Sequence, residues 1–372
     1  MCGSQLSDKT ILFYPAMPKS AQHFPTQETL AEDQPIDLKI VQCSSCDLVQ
    51  LDNDPVPYYR EVIRASAFSK EMGIFRERQF ADFIEQYGLK NKKIIEIGCG
   101  YGEYLALLNK QGVAGYGLEY AENSVQQCLH DGLQVQQGYV EHSEYTLNNG
   151  CFDAFFILNF LEHIPEPVSL LKGIAHNLTC GAIGMVEVPN FDMMIRENLF
   201  TEFVIDHLCY FTRDTLQLLL GLSGFEVLEC REVWDDYILS ATVRKRGSLD
   251  VDGFRLAHQT LKAELNAYIN NFNPGQVVIW GAGHQALAVM ALAGLSGKIK
   301  YVVDSAPFKQ NKLTPGTHLP IVPPEIFFQD DAVEALIVMA AAYSDEVAAI
   351  VKKRSNKSTP IAILRASGLN TL

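Results

Sequence analysis

An α/β fold with a Rossmann-like, mostly parallel core is what this sequence predicts, preceded by a small β-rich lobe and followed by a second, smaller α/β domain. Three observations predict it. From Asn91 onward short apolar runs alternate with helix-like segments, a glycine-bearing turn follows the first of those runs, and the same rhythm restarts beyond Asn273. Strand, helix, strand in that order needs crossover connections, which make neighbouring strands parallel and place helices on both faces of the sheet.

Residues 1–58 hold short apolar pieces interrupted by Pro15, Pro18, Pro25, Pro35, Pro55 and Pro57, which rules out long helices and reads as the β-rich lobe. Residues 59–90 form a helical connector, with Phe68, Met72, Phe75, Phe80 and Phe83 as its apolar stripe. The core spans 91–247. Its strand and helix runs read KIIEI, EYLALLNK, AGYGLEY, AENSVQQCLH, LQVQQ, DAFFILN, PVSLLKGIAHNL and AIGMVEV. FEVLECREVW and YILSATVRK then follow without a helix between them, as an antiparallel pair closing one sheet edge. A linker helix over 248–273 carries Phe254, Ala257, Leu261, Leu265, Tyr268 and Ile269 at three-and-four spacing. The last domain, 274–372, runs VVIWGAG, HQALAVMALAGL, KIKYVVD, ALIVMAAA and AILR, with a helix at about 344–353.

A chain of 372 residues suits two or three domains and can bury a catalytic pocket. Thirty basic residues against 44 acidic ones give a formal charge of -14, which repels a phosphate backbone and an anionic membrane face. A small-molecule partner is expected, with no nucleic acid and no membrane. No apolar run approaches the roughly 18–20 residues that cross a bilayer, and MCGSQLSDKT lacks the pattern of an export signal, so a cytoplasmic location is expected. Nine cysteines, with Cys99, Cys128 and Cys209 in apolar stretches, point to buried thiols rather than a disulfide framework.

The first glycine turn carries most of the chemistry. The strand from Lys93 runs into Gly98, Gly100 and Gly102, and a helix follows from about Glu103. Without side chains there, a ligand can lie against the backbone. Nineteen residues past Gly100, at the end of the second strand, Glu119 can accept hydrogen bonds from both hydroxyls of a ribose. Any adenosine cofactor would fit so far. The spacing is G-x-G-x-G preceded by Glu96, not the G-x-G-x-x-G of a dinucleotide fingerprint. It resembles motif I of the class I methyltransferases that use S-adenosylmethionine (SAM). The resemblance implies that Glu96, Gly98, Gly100, Gly102 and Glu119 are cofactor residues, with the loop beside the methionine part and Glu96 ordering the loop and the ammonium. The bland alternative is a glycine turn that only packs helix on strand. The run from Phe152 to Pro165 looks like the fourth strand of the same fold. There the resemblance points Asn159 at the cofactor, and gives His163 a helix-start, second-layer or substrate-contact role. The stretch Gly138 to Tyr145 is expected near the adenine.

Cys43-Ser-Ser-Cys46 has the knuckle spacing of a zinc site, and Cys2-Gly3 can be its far half. The run from Cys2 to CSSCDLVQL resembles the amino-terminal zinc lobe of the sugar C-methyltransferases, where C-x-x-C-G precedes the proline segment. Cys2 matches the second of those cysteines, which leaves three in the sequence as given and makes His23 the nearest candidate for the fourth ligand of a structural zinc. The alternative is a lobe held by apolar packing with free thiols. That family also carries Tyr-His-Glu-His over its acceptor, where this chain has Val204-Ile205-Asp206-His207. An acid and the last histidine remain, which implies His207 as proton acceptor with Asp206 beside it; a reference pKa near 6.5 suits that role. A structural histidine is the competing reading, and Tyr210 reads as a packing residue.

The last domain resembles the carboxyl-terminal domain of the same enzymes, which implies help in holding a nucleotide-linked sugar and a possible homodimer. Gly281, Gly283 and Asp304 can mimic a nucleotide site there, or Asp304 can be a solvated strand end. The expected activity is methyl transfer to a carbon or hydroxyl of a nucleotide-linked sugar. An oxygen or nitrogen of another natural-product or capsule precursor is the alternative acceptor. From other classes, a nicotinamide-dependent oxidoreductase would use the second glycine turn, and a noncatalytic zinc-bearing binding protein would have lost its methyltransferase chemistry.

Overall fold

Alternating apolar runs become two seven-stranded sheets and one four-stranded sheet in a computed structural model that describes residues 1–4, 10–21, 24–61, 69–355 and 358–372. The chain divides into two units, Met1–Ser248 and Leu249–Leu372. Among the described residues no helix is long and apolar enough to cross a membrane.

The first unit begins with the lobe strands β1 (Thr10–Met17), β2 (Ile36–Gln42) and β3 (Val49–Leu51), then α1 (Lys70–Gln86). Its core elements are β4 (Lys93–Ile97), α2 (Glu103–Lys110), β5 (Ala114–Glu119), α3 (Glu122–His130), β6 (Gln134–Gln137), β7 (Phe152–Leu158), α4 (Pro167–His176) and β8 (Leu178–Pro189). After them come α5 (Phe191–Arg196), β9 (Cys209–Tyr210), α6 (Arg213–Leu222), β10 (Phe225–Val233) and β11 (Ile238–Lys245). The core sheet has the order β10-β11-β8-β7-β4-β5-β6. Its strands from β8 to β6 are parallel, and β11 and β10 close the edge antiparallel. The order reverses at β4, which pairs with β5 on one side and β7 on the other. Crossovers leave in opposite directions there, so a crevice opens beyond the carboxyl ends of β4 and β7.

The lobe is not free-standing. β9 adds to its sheet, pairing Val49 with Tyr210 and Gln50 with Cys209, and Cys43, Cys46 and Leu48 share a core with Ile95, Ile97, Phe155 and Phe211. A few short antiparallel strands cannot bury a face alone, so the core domain supplies the missing edge and apolar partner.

The hydroxyl of Ser69 caps α1, accepting from the Met72 N–H at 3.0 Å. Phe80 and Phe83 of the expected stripe are buried, Met72 and Phe75 are half-buried, and Phe68 lies outside the described residues. The helix also buries Arg76, which sequence periodicity does not anticipate. Its guanidinium donates to Glu187 of β8 and, at 2.7 Å, to Gln79 Oε1, while Gln79 Nε2 donates to Glu187 Oε1 at 2.6 Å. Both charges are fully buried, 0% exposed, so the pair must satisfy itself.

In the second unit α7 (Asp252–Ile269) is more than a linker: Leu265 and Ile269 sit in one core with Val277, Ile279 and Met290. The elements that follow are β12 (Val277–Trp280), α8 (His284–Leu292), β13 (Ile299–Val303), β14 (Lys312–Leu313), β15 (Pro320–Val322), α9 (Pro324–Gln329), β16 (Ala335–Val338), α10 (Ser344–Arg354), β17 (Ile361–Arg365) and β18 (Gly368–Thr371). The sheet order is β14-β15-β13-β12-β16-β17-β18, with antiparallel β14 and β18 at the edges. These edge strands and β15 are too short to carry a period that sequence reading could detect.

Candidate active site

At the turn after β4, Gly98, Gly100 and Gly102 have φ of +69°, +53° and +81°, a region that side-chain-bearing residues rarely enter. A Cβ on Gly98 would lie 2.9 Å from the Phe160 ring, and one on Gly102 would lie 2.4 Å from Leu133 Cδ1. Both conformation and space therefore demand glycine. Glu119, the last residue of β5, is 1% exposed. Its Oε2 accepts from the Gly100 N–H at 2.8 Å and its Oε1 from the Ala121 N–H at 2.9 Å. Burial raises its pKa, against these backbone donors. Each carboxylate oxygen has a second lone pair, so the acid that fixes the loop retains capacity for two more donors.

A cavity of about 310 Å³ is lined by Glu61, Tyr120, Ala121, Glu122, Gln137 and Gly138, next to Glu119 in sequence and at the carboxyl end of β6. The Gly138 N–H donates to the Glu119 carbonyl at 2.9 Å, so the start of the Gly138 to Tyr145 stretch is tied to the same strand end. Glu96 is the fourth residue of β4 and 2% exposed. Asn159, directly after β7, has φ of +50° and a buried side-chain oxygen with no hydrogen-bond partner. A left-handed residue with an orphaned acceptor at the switch point fits a ligand donor.

A second polar cluster is formed by Glu162 and His163, on the 3-10 turn Leu161–His163 after β7, and by His207, ahead of β9. The Leu208 N–H donates to the Glu162 carbonyl at 2.9 Å and binds the two segments together. His163 Nδ1 donates to the Asp206 carbonyl at 2.7 Å, leaving Nε2 as the free lone pair, 3.7 Å from Glu162 Oε1. The His163 and His207 rings meet edge to face with centroids 4.9 Å apart. Burial pushes Glu162 up to about 8. Burial, helped by His163, pushes His207 down to about 3. The near-neutral pKa expected of His207 is thus not what the fold supplies: apolar surroundings disfavour the imidazolium.

Asp206 also differs from the expectation. Its Oδ2 accepts from the Ala21 N–H of the lobe at 2.9 Å, and no hydrogen bond joins it to His207. It anchors the segment and, through its carbonyl, orients His163. Tyr210 packs as expected: its hydroxyl takes the Val204 N–H at 3.1 Å, and its ring lies against Phe191 and Phe203. Sequence reading passed over Glu162, although a Glu-His pair inside the apolar run NFLEHIP was a usable signal.

Cys2, Cys43 and Cys46 converge, with all three sulfurs within 4.8 Å of one another and Cys2 Sγ 3.6 Å from Cys43 Sγ. Three soft donors at one point fit zinc. His23 lies outside the described residues. In the second unit, Asp304 repeats the Glu119 arrangement, accepting from the Ala282 N–H at 2.9 Å and the Ala306 N–H at 2.8 Å. Lys309 Nζ, 2.9 Å from Asp304, already neutralises this acid. Beside it a cavity of about 380 Å³ is lined by Trp280, His284, Asp304, Lys309 and Tyr343, among others.

A family model described as a methyltransferase domain matches residues 72–230, and one described as a C-methyltransferase C-terminal domain matches residues 250–362. The C-methyltransferase NovU of Streptomyces niveus is 24% identical over 326 residues, 77% of this chain and 76% of that protein. The ubiquinone biosynthesis O-methyltransferase of Idiomarina loihiensis is 30% identical over 106 residues, 27% of this chain and 44% of that protein, so the match spans less than half of that relative. Among solved structures, the PH0226 protein of Pyrococcus horikoshii OT3 aligns with 52% of this chain and 100% of its own at 14% identity, with a TM-score of 0.42, an overlap too slight to bear on function. Two methyltransferase family matches in tandem, together with a C-methyltransferase relative that spans over three quarters of both chains, place this protein among the class I SAM-dependent methyltransferases, with a resemblance to the three-domain C-methyltransferases.

Proposed function

We propose that this enzyme transfers the methyl group of SAM to a carbon of a nucleotide-linked sugar. The observation that carries the reading is the C-methyltransferase match over residues 250–362, joined to a core whose glycine turn suits SAM. When bound, SAM supplies a methyl group on a positively charged sulfur. In this reading Gly98, Gly100 and Gly102 bring bare backbone to its methionine part, Glu96 meets the ammonium, Glu119 takes the ribose hydroxyls, and Asn159 offers its unpaired oxygen to a donor on the cofactor. His207, with His163, Glu162 and the anchoring Asp206, faces the acceptor. A carbon becomes a nucleophile only after losing a proton, so the acceptor carbon lies next to a carbonyl. The enzyme's work is to align that carbon with the methyl group and exclude water.

Two tests address this reading. A panel of nucleotide-linked keto sugars, incubated with SAM in deuterated water, should give a C-methylated product and exchange deuterium at the acceptor carbon. Methylation confined to oxygen would instead support the O-methyltransferase alternative, which the Idiomarina loihiensis match over 106 residues favours. For the cofactor site, Glu119→Ala is expected to weaken SAM binding about a hundredfold, the loss of two charge-assisted hydrogen bonds. Isothermal titration showing unaltered affinity would remove Glu119 from the site.

Cys2, Cys43 and Cys46 hold a structural zinc in the same reading, with the fourth ligand outside the described residues or from solvent. Because structural zinc contributes directly to folding, Cys43→Ser is expected to release the metal and lower the melting temperature by about 5–10 °C. Metal analysis finding no zinc in the wild type would leave the lobe to apolar packing. Homodimer formation belongs to the same resemblance and is checked by sedimentation equilibrium.

A further inference from the structure

The cluster of Glu162, His163 and His207 has the makings of a second metal centre. Glu162, His163 and His207 each bring one donor atom to within 4.8 Å of the others. Two ligands about 2.1 Å from one ion in a tetrahedron stand about 3.4 Å apart, and His163 Nε2 is 3.7 Å from Glu162 Oε1. A shift of a few tenths of an ångström therefore closes the pair on an ion.

The lone pairs are already arranged for this. The Asp206 carbonyl takes the Nδ1 proton of His163 and fixes Nε2 as the free donor, the same outer support that orients ligating histidines in metal sites. Glu162 is 2% exposed, and its Oε2 has no hydrogen-bond partner. A carboxyl oxygen so buried is costly unless something pairs with it, and the polar groups nearest it in this cluster are imidazoles. A divalent cation satisfies all three groups together. His207 is half-buried and gives the cluster its outlet.

We propose that Glu162, His163 and His207 bind a borderline divalent cation such as Co²⁺, Fe²⁺ or Zn²⁺. Two imidazoles and one carboxylate, with positions left open, are the donor set that suits such ions and not Mg²⁺ or Ca²⁺. The open positions accept an oxygen of the acceptor. This use of the ion rests on the proposed function: a carbonyl held there would make the carbon next to it more acidic.

The site can be tested without SAM or acceptor. Full-length protein holding one equivalent of Zn²⁺, which the thiols retain, is titrated with Co²⁺ and followed by visible absorption and equilibrium dialysis. The wild type should take up one further Co²⁺ with weak visible bands and no thiolate charge-transfer band. Glu162→Gln and His207→Asn should each weaken that uptake by at least about tenfold, with circular dichroism unchanged, while Cys43→Ser should retain it. Failure to bind Co²⁺ beyond the thiol site, or equal binding by wild type and His207→Asn, overturns the proposal. Because His207 sits on a loop with some exposure, His207→Asn serves if Glu162→Gln does not fold. SAM titration of the same samples reports on the methyltransferase reading separately.

Discussion

Replacing His207 by Gln is expected to lower turnover about a hundredfold or more, the usual range for removing a group that handles the acceptor's proton or holds the acceptor in place. SAM affinity should stay unchanged, because His207 precedes β9 whereas the glycine turn and Glu119 lie at the ends of β4 and β5. A methyl-transfer assay paired with isothermal titration separates the two quantities. If turnover is undiminished, His207 has no part in the reaction. Asp206→Asn should cost less: its carboxylate holds the Ala21 N–H, and its carbonyl, which the substitution leaves in place, orients His163. An equal loss in the two variants would return the Asp206 side chain to the reacting groups.

The second large effect concerns stability. Arg76→Met is expected to destabilise the first unit by about 3–5 kcal/mol, because it strands the carboxylate of Glu187 in a place with no access to water. For a unit of this size that corresponds to a fall of roughly 10 °C in melting temperature. Combining Arg76→Met with Glu187→Met should recover most of the loss, since the buried charge and its desolvation penalty disappear together. Thermal melts of the two single variants and the double variant provide the check. A silent single variant would mean that Gln79, which donates to Glu187 at 2.6 Å, satisfies the carboxylate unaided.

The parts of the fold visible in the sequence are those with a strong local period or a positional demand. KIIEI, DAFFILN and AIGMVEV are buried parallel strands whose mostly apolar runs, without regular alternation, are themselves the signal, and they became β4, β7 and β8. The antiparallel edge was legible because two strand-like runs met without room for a crossover helix, as the pairing of β10 with β11 shows. By contrast β9, with two residues, has no period to detect, yet it joins the lobe to the core. The helix at Asp252–Ile269 had a clear amphipathic pattern, but the pattern could not say which core its apolar face would join.

The candidate site divides in the same way. Gly98, Gly102 and Glu119 could be assigned from spacing because a left-handed turn and an acid at a strand end are demands that backbone geometry places on single positions. By itself, then, the sequence determined the fold class, the glycine turn with its acid, and the tandem α/β plan, all of which are local or periodic properties. Only tertiary structure decided that Asp206 turns away to the lobe, that Arg76 and Glu187 meet in the core, and that Glu162 and His163 come together with His207. Contacts between residues 43 and 111 positions apart depend on how sheets and loops stack, and so do burial and the pKa values it sets.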